Sequence, residues 1–425
     1  MLYETEEKQE CYVLLGVDTG KDGINEEKSL DELRDLLETD GGAEAGRIIQ
    51  KLSQPDPLTY LGTGKLEEVK ALLAETGADG VITDDELSPS QLRKLSQELD
   101  TLVLDRTRLI LDIFASRAVT KEGKLQVELA NLQYRLTRLR GFGVEMSRQA
   151  SAGTAVGGHT RGSGETKLEM DRRYLRDRID QLRREIKEIA SRRETERVSR
   201  KEGELPLVAL VGYTNAGKST LFNRLTHSGV LEENKLFATL DTTVRRRDLP
   251  SGRSVLFVDT VGFIHKLPHN LVDAFRATLE EACEADVLLM VVDASDSECE
   301  MHMRVTYEEL VSLGAADKPI IVALNKQDLV TGEEALMIPF NAHSVIRISA
   351  ISEEGVQTAM EAVDSLLDEA DTLMEVLIPY QRGDLVSTIH QELPILEESF
   401  EAEGTKLKVR AKGKLREILK PFAIS

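Results

Sequence analysis

Residues 212–219, with the sequence GYTNAGKS, have the side-chain types and the spacing that bind the phosphate groups of a nucleotide. Glycines let the main chain wrap closely around phosphate oxygens, and successive N–H groups at a helix start favour negative charge. We expect Lys218 to reach the β- and γ-phosphates and to stabilise charge that develops during hydrolysis, and the Ser219 hydroxyl to bind Mg²⁺. The predicted nucleotide contacts of this loop are Gly212, Tyr213, Thr214, Asn215, Ala216, Gly217, Lys218, Ser219 and Thr220.

The elements around this loop are the ones that the motif requires. Residues 207–211 form a short apolar run that is typical of a buried strand, and residues 219–225 have the pattern of a helix start. The sequence therefore predicts a P-loop between a strand and a helix.

A second strand, residues 255–259, ends in Asp259, and Gly262 follows three residues later. We expect Asp259 to hold Mg²⁺ through a water molecule and the N–H of Gly262 to face the γ-phosphate. A third apolar strand, residues 287–293, comes next along the chain.

Residues 325–328, with the sequence NKQD, follow another apolar strand and predict the base that the nucleotide carries. The carboxylate of Asp328 can accept hydrogen bonds from N1–H and the 2-amino group of guanine, whereas adenine would leave that carboxylate unpaired. Asn325 belongs to the same motif, Lys326 would lie over the base, and the loop of Ser349 and Ala350 offers a backbone N–H to guanine O6.

Each of these short patterns occurs alone in ordinary surface turns, but here all of them follow strands and stand in one order. Together they resemble the translation-factor-like GTPases, over roughly residues 205–370. This resemblance implies GTP as substrate, GDP as product and Mg²⁺ as cofactor.

Composition limits the class of protein. The 425 residues are 41% hydrophobic and 30% charged, as in a soluble globular protein, and no apolar run reaches the ~20 residues of a membrane helix. The start of the chain lacks the basic and apolar regions of a signal peptide, and the three cysteines have no metal or redox spacing. We therefore predict a cytoplasmic protein without a membrane span.

Charge is unevenly distributed. The formal net charge is −21, yet residues 114–200 hold 20 Lys and Arg against 12 Asp and Glu, which gives this segment +8 and the remainder −29. One basic segment in an acidic protein indicates a local anionic partner rather than general attraction to nucleic acid. There is no Trp, and aromatic residues are only 4% of the chain.

Residues 1–115 alternate between strand and helix patterns, which predicts an α/β domain with a parallel sheet. We predict a helix over residues 29–37 capped by Ser29 or Asp31, and another that starts at Ser88 and Pro89. Residues 62–65, with the sequence GTGK, favour a helix-capping turn, with a phosphate or RNA contact as the alternative.

Residues 116–203 have heptad spacing and predict two long helices. The apolar positions are Leu125, Leu129, Leu132, Leu136 and Leu139, then Leu168, Leu175, Ile179, Leu182, Ile186 and Ile189. An antiparallel helical hairpin suits them, with a first helix of about 20 residues and a length of roughly 30 Å; an intermolecular coiled coil is the alternative.

A Gly-rich stretch of about 25 residues from Gly141 to Glu165 separates the two predicted helices. Arg148, His159 and Arg161 could donate to phosphates there. From the residues alone, a disordered tip and a tip that orders on RNA are equally consistent.

Four segments are similar to HflX, a family of ribosome-associated GTPases: residues 105–115, 123–130, 162–173 and 236–241. The resemblance extends over nearly the whole chain. It implies an N-terminal α/β domain, a helical hairpin, a GTPase domain and a small C-terminal domain. It also implies binding to the large (50S) ribosomal subunit and its rRNA, with the hairpin loop near the peptidyl-transferase region, and splitting of ribosomes under stress.

The first switch of the GTPase domain should be residues 231–245. By similarity to the family, Thr239 is expected to complete the Mg²⁺ shell and to act in catalysis. The family often has Asp-Pro-Thr-Thr after it, whereas this chain has Asp-Thr-Thr-Val, so Thr242 and Thr243 remain rivals.

Phe263 stands where many GTPases have a glutamine that orients the attacking water. A phenyl ring cannot do that, which predicts slow intrinsic hydrolysis that needs another factor. The ribosome could order the switches, or K⁺ could lie along the phosphates, because Asn215 matches the asparagine of potassium-activated GTPases. His265 and His269, separated by Pro268, are predicted to be ordinary surface residues.

The last segment, residues 373–425, predicts a small α+β domain, with strands at 375–378 and 405–410 and helices at 383–391 and 412–420. Its basic residues favour a solvated face, with ribosomal contact as the alternative: Lys406, Lys408, Arg410, Lys412, Lys414 and Arg416. The boundaries predicted for the four units are 1–115, 116–203, 204–372 and 373–425.

The resulting hypothesis is a multidomain α/β GTPase, a monomer, that binds and splits ribosomes. One rival is a GTP-regulated signalling module whose hairpin holds a protein partner. Another is an RNA-remodelling ATPase that uses the N-terminal domain, although no helicase motif is present. A purely structural dimer would leave the intact nucleotide motifs unexplained.

Overall fold

The computed structural model describes residues 9–20, 25–152, 163–201, 205–227, 236–237, 242–266, 282–330, 332, 336–370, 372–393, 395–411, 415 and 418–424. Thr239 and His269, among the residues singled out above, lie outside them, as do His159 and Arg161. Arg148 lies in a helix whose side chains at that end are also outside the description. No helix in the described part of the chain is both long and apolar enough to cross a membrane.

The N-terminal domain is a four-stranded parallel sheet in the order β2-β1-β3-β4, with helices on both faces. The strands are β1 (Cys11–Asp18), β2 (Ala43–Lys51), β3 (Gly80–Thr83) and β4 (Leu102–Asp105), and the helices are α1 (Glu26–Asp40), α2 (Thr63–Thr76), α3 (Pro89–Leu99) and α4 (Arg106–Arg117). The predicted parallel α/β architecture is confirmed.

The starts of three helices can be compared with the predictions from the sequence. The predicted cap of α1 was wrong, because α1 begins a turn earlier and the Asn25 side chain accepts from the N–H of Glu27 at 3.0 Å. Helix α3 begins as predicted, with a capping box formed by Ser88 and Gln91. Gly62 is the N-cap of α2 and its N–H donates to Gln50 at 2.9 Å, which supports the helix-capping interpretation of residues 62–65.

Two long helices, α5 (Lys121–Ala152) and α6 (Ser163–Lys201), form an antiparallel hairpin. The heptad positions other than Leu168, whose side chain lies outside the described residues, pack against each other within the one chain, and Leu182 is completely buried at the seam. The intramolecular interpretation is therefore confirmed. The predicted length of the first helix was wrong: α5 has 32 residues, about 48 Å, because it continues through Gly141 and Gly143 instead of ending there.

The central domain is a six-stranded sheet in the order β10-β9-β8-β5-β7-β6, parallel except for β6 at one edge. Its strands are β5 (Leu207–Val211), β6 (Thr243–Asp248), β7 (Ser254–Asp259), β8 (Val287–Asp293), β9 (Ile320–Asn325) and β10 (Ser344–Arg347), and its described helices are α7 (Lys218–Thr226), α8 (Cys299–Ser312) and α9 (Glu353–Ala370). The central strands are buried on both faces, so they appear in the sequence as continuous apolar runs. The predicted site residues follow the carboxyl ends of these strands, where α/β sheets bind ligands.

The C-terminal domain is an antiparallel sheet in the order β11-β13-β12, built from β11 (Thr372–Ile378), α10 (Gly383–Glu392), β12 (Ile395–Glu401) and β13 (Gly404–Ala411). Strand β12 was missed in the sequence, since three of its seven residues are glutamates and its apolar residues do not alternate with them. Lys406 pairs with Glu375 and Lys408 with Glu397. The charges of these two members of the basic set are therefore balanced within the sheet. Lys412, Lys414 and Arg416 lie outside the described residues, as does the side chain of Arg410.

One hydrophobic cluster joins the N-terminal and central domains. It includes Phe114 of α4 and Phe237 from the predicted first switch, whose rings meet edge-on with centroids 4.6 Å apart. The nucleotide motifs therefore border on the N-terminal domain rather than on solvent alone.

Candidate nucleotide-binding site

The phosphate-binding loop lies between β5 and α7, where the sequence predicted it. Gly217 is the N-cap of α7 with φ +93°, a value that favours glycine. At Gly212 a Cβ would stand 2.2 Å from the Val291 carbonyl oxygen. The loop can pass this close to β8 only without a side chain at Gly212.

Lys218 is buried, and its ammonium group donates to the carbonyl of Tyr213 at 2.6 Å. Burial lowers the pKa of Lys218 to about 8, while the neighbouring Asp259 carboxylate opposes part of this shift. The amine is thus held at the centre of the loop, where the motif requires it to meet phosphate.

Ser219 and Asp259 are brought together, although 40 residues separate them: the Ser219 hydroxyl donates to the Asp259 carboxylate at 2.8 Å. A hydroxyl and a carboxylate are hard oxygen donors of the kind that Mg²⁺ takes in nucleotide sites. The pair fits the predicted metal role. Thr243, a rival of Thr239, begins β6 directly opposite Asp259 in the sheet register.

The segment after β7 is paired with the P-loop by its main chain. Phe263 N–H donates to the Gly212 carbonyl at 3.1 Å, and Thr214 N–H donates to the Phe263 carbonyl at 2.8 Å. A Cβ on Gly262 would stand 2.8 Å from the Lys218 amine, so Gly262 packs directly against it. The Phe263 ring is 1% exposed and belongs to the core, which is consistent with its having no water-orienting role.

The predicted base-recognition residues surround one loop. The Asn325 side chain donates to the Ala216 carbonyl at 2.9 Å and accepts from Ala350 N–H at 2.8 Å, which ties this motif to the P-loop. The Ser349 hydroxyl donates to Asp328 at 2.5 Å. In this structure the N–H of Ala350, expected to meet guanine O6, is directed at Asn325.

Lys326 has a left-handed backbone with φ +61°, and its amine pairs with Asp293 at the end of β8, 2.6 Å away. This ion pair fixes the lysine stem beside the predicted base position. Of the predicted nucleotide contacts in the described residues, all lie at this one edge of the sheet.

The N-terminal domain adds residues that the sequence did not reveal. The Tyr213 hydroxyl donates to Glu32 of α1 and accepts from His265 N–H at 2.7 Å, and the Tyr213 ring stacks on His302 with centroids 3.9 Å apart. A cavity of about 180 Å³ between α1, the P-loop and α8 is lined by these groups and by Asn215.

His265 was predicted to be an ordinary surface residue, and this prediction was wrong. It lines that cavity, half-buried, and burial together with nearby Arg106 lowers the pKa of its imidazole to about 4. No local signal in the sequence indicates this environment, because Arg106 and Glu32 are far away along the chain.

A second contact joins the same segment to the N-terminal domain. Lys266 pairs with Asp84, which is fully buried, and with Asp85 at 2.8 Å, and it lies 4.0 Å from Glu26. Arg106, also buried, binds Asp84 at 2.7 Å and pairs with Glu32. The acidic edge of the N-terminal domain therefore holds both the P-loop tyrosine and the chain after β7.

Three family models match successive parts of the chain. Residues 27–115 match the family described as GTP-binding GTPase N-terminal, residues 117–200 the GTP-binding GTPase Middle Region, and residues 207–326 the 50S ribosome-binding GTPase. Together they span most of the described architecture.

Named relatives match over nearly the full length. A GTPase HflX of Lacrimispora saccharolytica is 46% identical over 403 residues, which are 95% of this chain and 94% of that protein. The GTPase HflX of Escherichia coli (strain K12) is 39% identical over 393 residues, 91% of each chain. Among solved structures, a complex of SsGBP with GDP is 27% identical, with a TM-score of 0.46 and coverage of 84% of this chain and 98% of that one.

Proposed function

The chain belongs to the HflX family of GTPases, and from this membership we propose that it is a GTP-driven factor that binds the large ribosomal subunit and splits or rescues ribosomes. The activity of the family is hydrolysis of GTP to GDP and phosphate. With the ribosome as its partner, the protein is expected to act in the cytoplasm, and the hairpin seam, which packs within one chain, is consistent with a monomer.

For hydrolysis, Lys218 and the N–H groups of the P-loop hold the phosphates and stabilise the charge that develops on them. Mg²⁺, when bound, neutralises phosphate charge; Ser219 and Asp259 would hold it, joined by Thr239 of the first switch. Asn325, Lys326 and Asp328 hold the guanine, with Ser349 orienting the carboxylate of Asp328.

The buried Phe263 leaves the attacking water without a side chain at the usual position, so a further factor must order it. We propose K⁺ held by Asn215, or contact with the ribosome, in this role. Asn215 is exposed at the P-loop with φ +58°, so its side chain is accessible to an ion beside the phosphates. Hydrolysis should be faster in KCl than in NaCl, and Asn215→Ala should abolish the difference; a preference for K⁺ that survives would exclude this ion site.

The observation that carries the ribosomal proposal is the helical hairpin. At 1.5 Å per residue, α6 with its 39 residues is about 58 Å long. It belongs to the one segment of net charge +8 in a chain of −21. A long basic arm on an acidic body suits a probe that enters a groove lined by phosphates.

The described part of α6 also exposes apolar groups. Tyr174 is 70% exposed and Met170 is 64% exposed, one helical turn apart, next to the exposed Arg173. An aromatic ring beside an arginine is suited to stacking on an unpaired RNA base. This pair supports RNA as the partner of the hairpin.

Co-sedimentation with purified 50S subunits and 70S ribosomes tests the proposal. Binding should require a non-hydrolysable GTP analogue rather than GDP, should be lost on deletion of residues 144–164, and should weaken with Tyr174→Ala. Tyr380→Ala is the matched control, since Tyr380 is similarly exposed in the C-terminal domain. Splitting is tested by light scattering of 70S ribosomes on addition of the protein and the GTP analogue.

Salt separates this function from the rival signalling module. Docking on rRNA should weaken steeply between about 50 and 200 mM salt, whereas an apolar contact with a protein should not. Pelleting that is independent of nucleotide and insensitive to salt would contradict the ribosomal proposal. The helix-capping role of Gly62 gives the rival ATPase no support. The division of the chain at residues 115, 203 and 372 is part of this proposal.

A further inference from the structure

The side chain of Tyr213 joins the P-loop to two other parts of the protein. The ring is 5% exposed and is stacked on His302 of α8. The hydroxyl makes two hydrogen bonds, one to Glu32 of α1 and one from the main-chain N–H of His265. One phenol therefore connects the P-loop, the chain after β7 and the N-terminal domain.

The chain after β7, residues 260–266, is fastened to the P-loop in a short ladder. The N–H of Phe263 donates to the Gly212 carbonyl, and the N–H of Thr214 donates to the Phe263 carbonyl. Next to these bonds, the N–H of His265 donates to the Tyr213 hydroxyl. Lys266 then inserts its amine between Asp84 and Asp85. The whole segment is thus fixed at both ends, one of them in the N-terminal domain.

This ladder holds Gly262 against the amine of Lys218. A γ-phosphate needs contact with both that amine and the Gly262 N–H, as predicted from the motif, and a phosphoryl group between them requires the two to separate. When Gly262 moves, Phe263 and His265 move with it, so the hydrogen bond to the Tyr213 hydroxyl must break or rearrange. A diphosphate imposes no such movement.

We propose that Tyr213 is a positioning residue whose hydroxyl, braced by Glu32 of the N-terminal domain, holds residues 262–265 in the arrangement that favours GDP over GTP. The N-terminal domain then acts on the nucleotide preference of the GTPase domain through this phenol, alongside the contact that Lys266 makes. The role belongs to the hydroxyl and not to the ring, because the hydroxyl is the group that accepts the hydrogen bond from the segment that must move.

The test is the ratio of two dissociation constants of the full-length protein, one for a fluorescent GDP and one for a fluorescent non-hydrolysable GTP analogue. Tyr213→Phe removes both hydrogen bonds and keeps the ring. Since one such bond contributes about 1 kcal/mol, the ratio of the analogue constant to the GDP constant should fall about fivefold. Tyr307→Phe, a tyrosine stacked on Phe340 in the same domain, is the matched control and should leave the ratio unchanged.

A double variant separates action through the N-terminal domain from a local effect. Glu32→Ala should lower the ratio in the same direction, and Tyr213→Phe with Glu32→Ala should lower it no further than the larger single effect. Lys266→Met, which removes the second contact with the N-terminal domain, should lower it independently. This variant keeps the proposal testable if substitution of Tyr213 impairs folding.

Three results would overturn the proposal. An unchanged ratio with equal loss of both affinities would mean that the hydroxyl only maintains the shape of the P-loop. A raised ratio would mean that the arrangement favours the triphosphate. Fully additive effects of Tyr213→Phe and Glu32→Ala would mean that the two groups act separately.

Discussion

Asn325 offers the sharpest test of how the base-binding motif and the P-loop depend on each other. Its amide donates to the Ala216 carbonyl and accepts from Ala350 N–H, both within 2.9 Å, and the side chain is 2% exposed. A Cβ on Gly217 would lie 2.3 Å from the same amide nitrogen. Asn325→Ala therefore removes a side chain that joins the two loops and leaves two buried main-chain groups without this partner.

The magnitude follows from those two groups. Leaving a buried donor or acceptor unsatisfied costs about 1–3 kcal/mol, and part of this is recovered as the loops relax or admit water. We expect a net loss of roughly 3 kcal/mol in GDP binding, which is a factor of about 150 in the dissociation constant. Because β9 keeps its place in the centre of the sheet, the fold should persist.

Titration of the full-length protein with a fluorescent GDP measures the constant, and Asn341→Ala, at an exposed asparagine, is the control. Asn325→Asp separates the two bonds, since a carboxylate still accepts from Ala350 but faces the Ala216 carbonyl unfavourably. It should bind GDP no better than Asn325→Ala. An Asn325→Ala variant that binds within threefold of the parent would refute the idea that this amide couples the loops.

Three further changes test other parts of the structure. Gly212→Ala should weaken GDP binding at least about 30-fold, because its Cβ meets the Val291 carbonyl at 2.2 Å, whereas Gly64→Ala, with open space around it, should not; equal affinities would contradict the steric argument. Leu182→Ala in the hairpin seam should lower the free energy of unfolding of the hairpin by about 2–5 kcal/mol in urea followed by circular dichroism, with GDP affinity unchanged. Burial raises the pKa of Glu26 from 4.5 to about 7, so its contribution to stability is present below pH 4.5 and is lost as the pH rises through 7. Glu26→Gln should therefore flatten the fall in melting temperature of the protein between pH 5.5 and 8.5. Parallel curves of melting temperature against pH for the variant and the parent would exclude this group as the cause.

The sequence alone was sufficient for the parts of the site that are continuous in the chain. Strand, glycine loop and helix follow each other within residues 207–226, and local rules of periodicity and glycine geometry determine all three. Ser219 was assigned to the metal site from the P-loop motif and Asp259 from its position at a strand end, and their side chains do meet. The order of motifs along parallel strands is what allowed this, since the ends of parallel strands share one edge of the sheet.

Local rules failed where packing overrides propensity. Gly141 and Gly143 predicted a loop, but α5 continues through both, because a helix already stabilised by a long seam can include glycines that cost only about 1 kcal/mol each. The charged strand β12 was missed for a related reason: as an edge strand it needs few apolar residues, and its pairing with β13 cannot be inferred from its own composition.

The contacts of the N-terminal domain with the site had no signal in the sequence at all. Glu32 and Tyr213 are 181 residues apart, and neither belongs to a pattern that predicts the other. Such contacts depend on how the two folded domains pack together. Here the N-terminal domain contributes Asp84 and Asp85 to the interface, and the central domain contributes Lys266. Charge complementarity between domains becomes visible only once each fold is known.

The P-loop is where these separate constraints meet. The Asn325 side chain, on the side of the base, bonds to Ala216 of the loop. The main chain of Phe263, on the side of the γ-phosphate, bonds to Gly212 and Thr214. Between these contacts, Glu32 of the N-terminal domain bonds to Tyr213. Because the P-loop is held by three contacts, a movement at one contact is transmitted to the other two. A nucleotide that displaces Gly262 must therefore alter the contact with α1. If that nucleotide changes the affinity for a partner bound to the hairpin by some factor, the partner must change the affinity for the nucleotide by the same factor. With the ribosome as that partner, ribosome binding and the exchange of GDP for GTP are thermodynamically coupled. Measuring GDP release with and without 50S subunits in the Tyr213→Phe variant would show whether this phenol transmits the coupling.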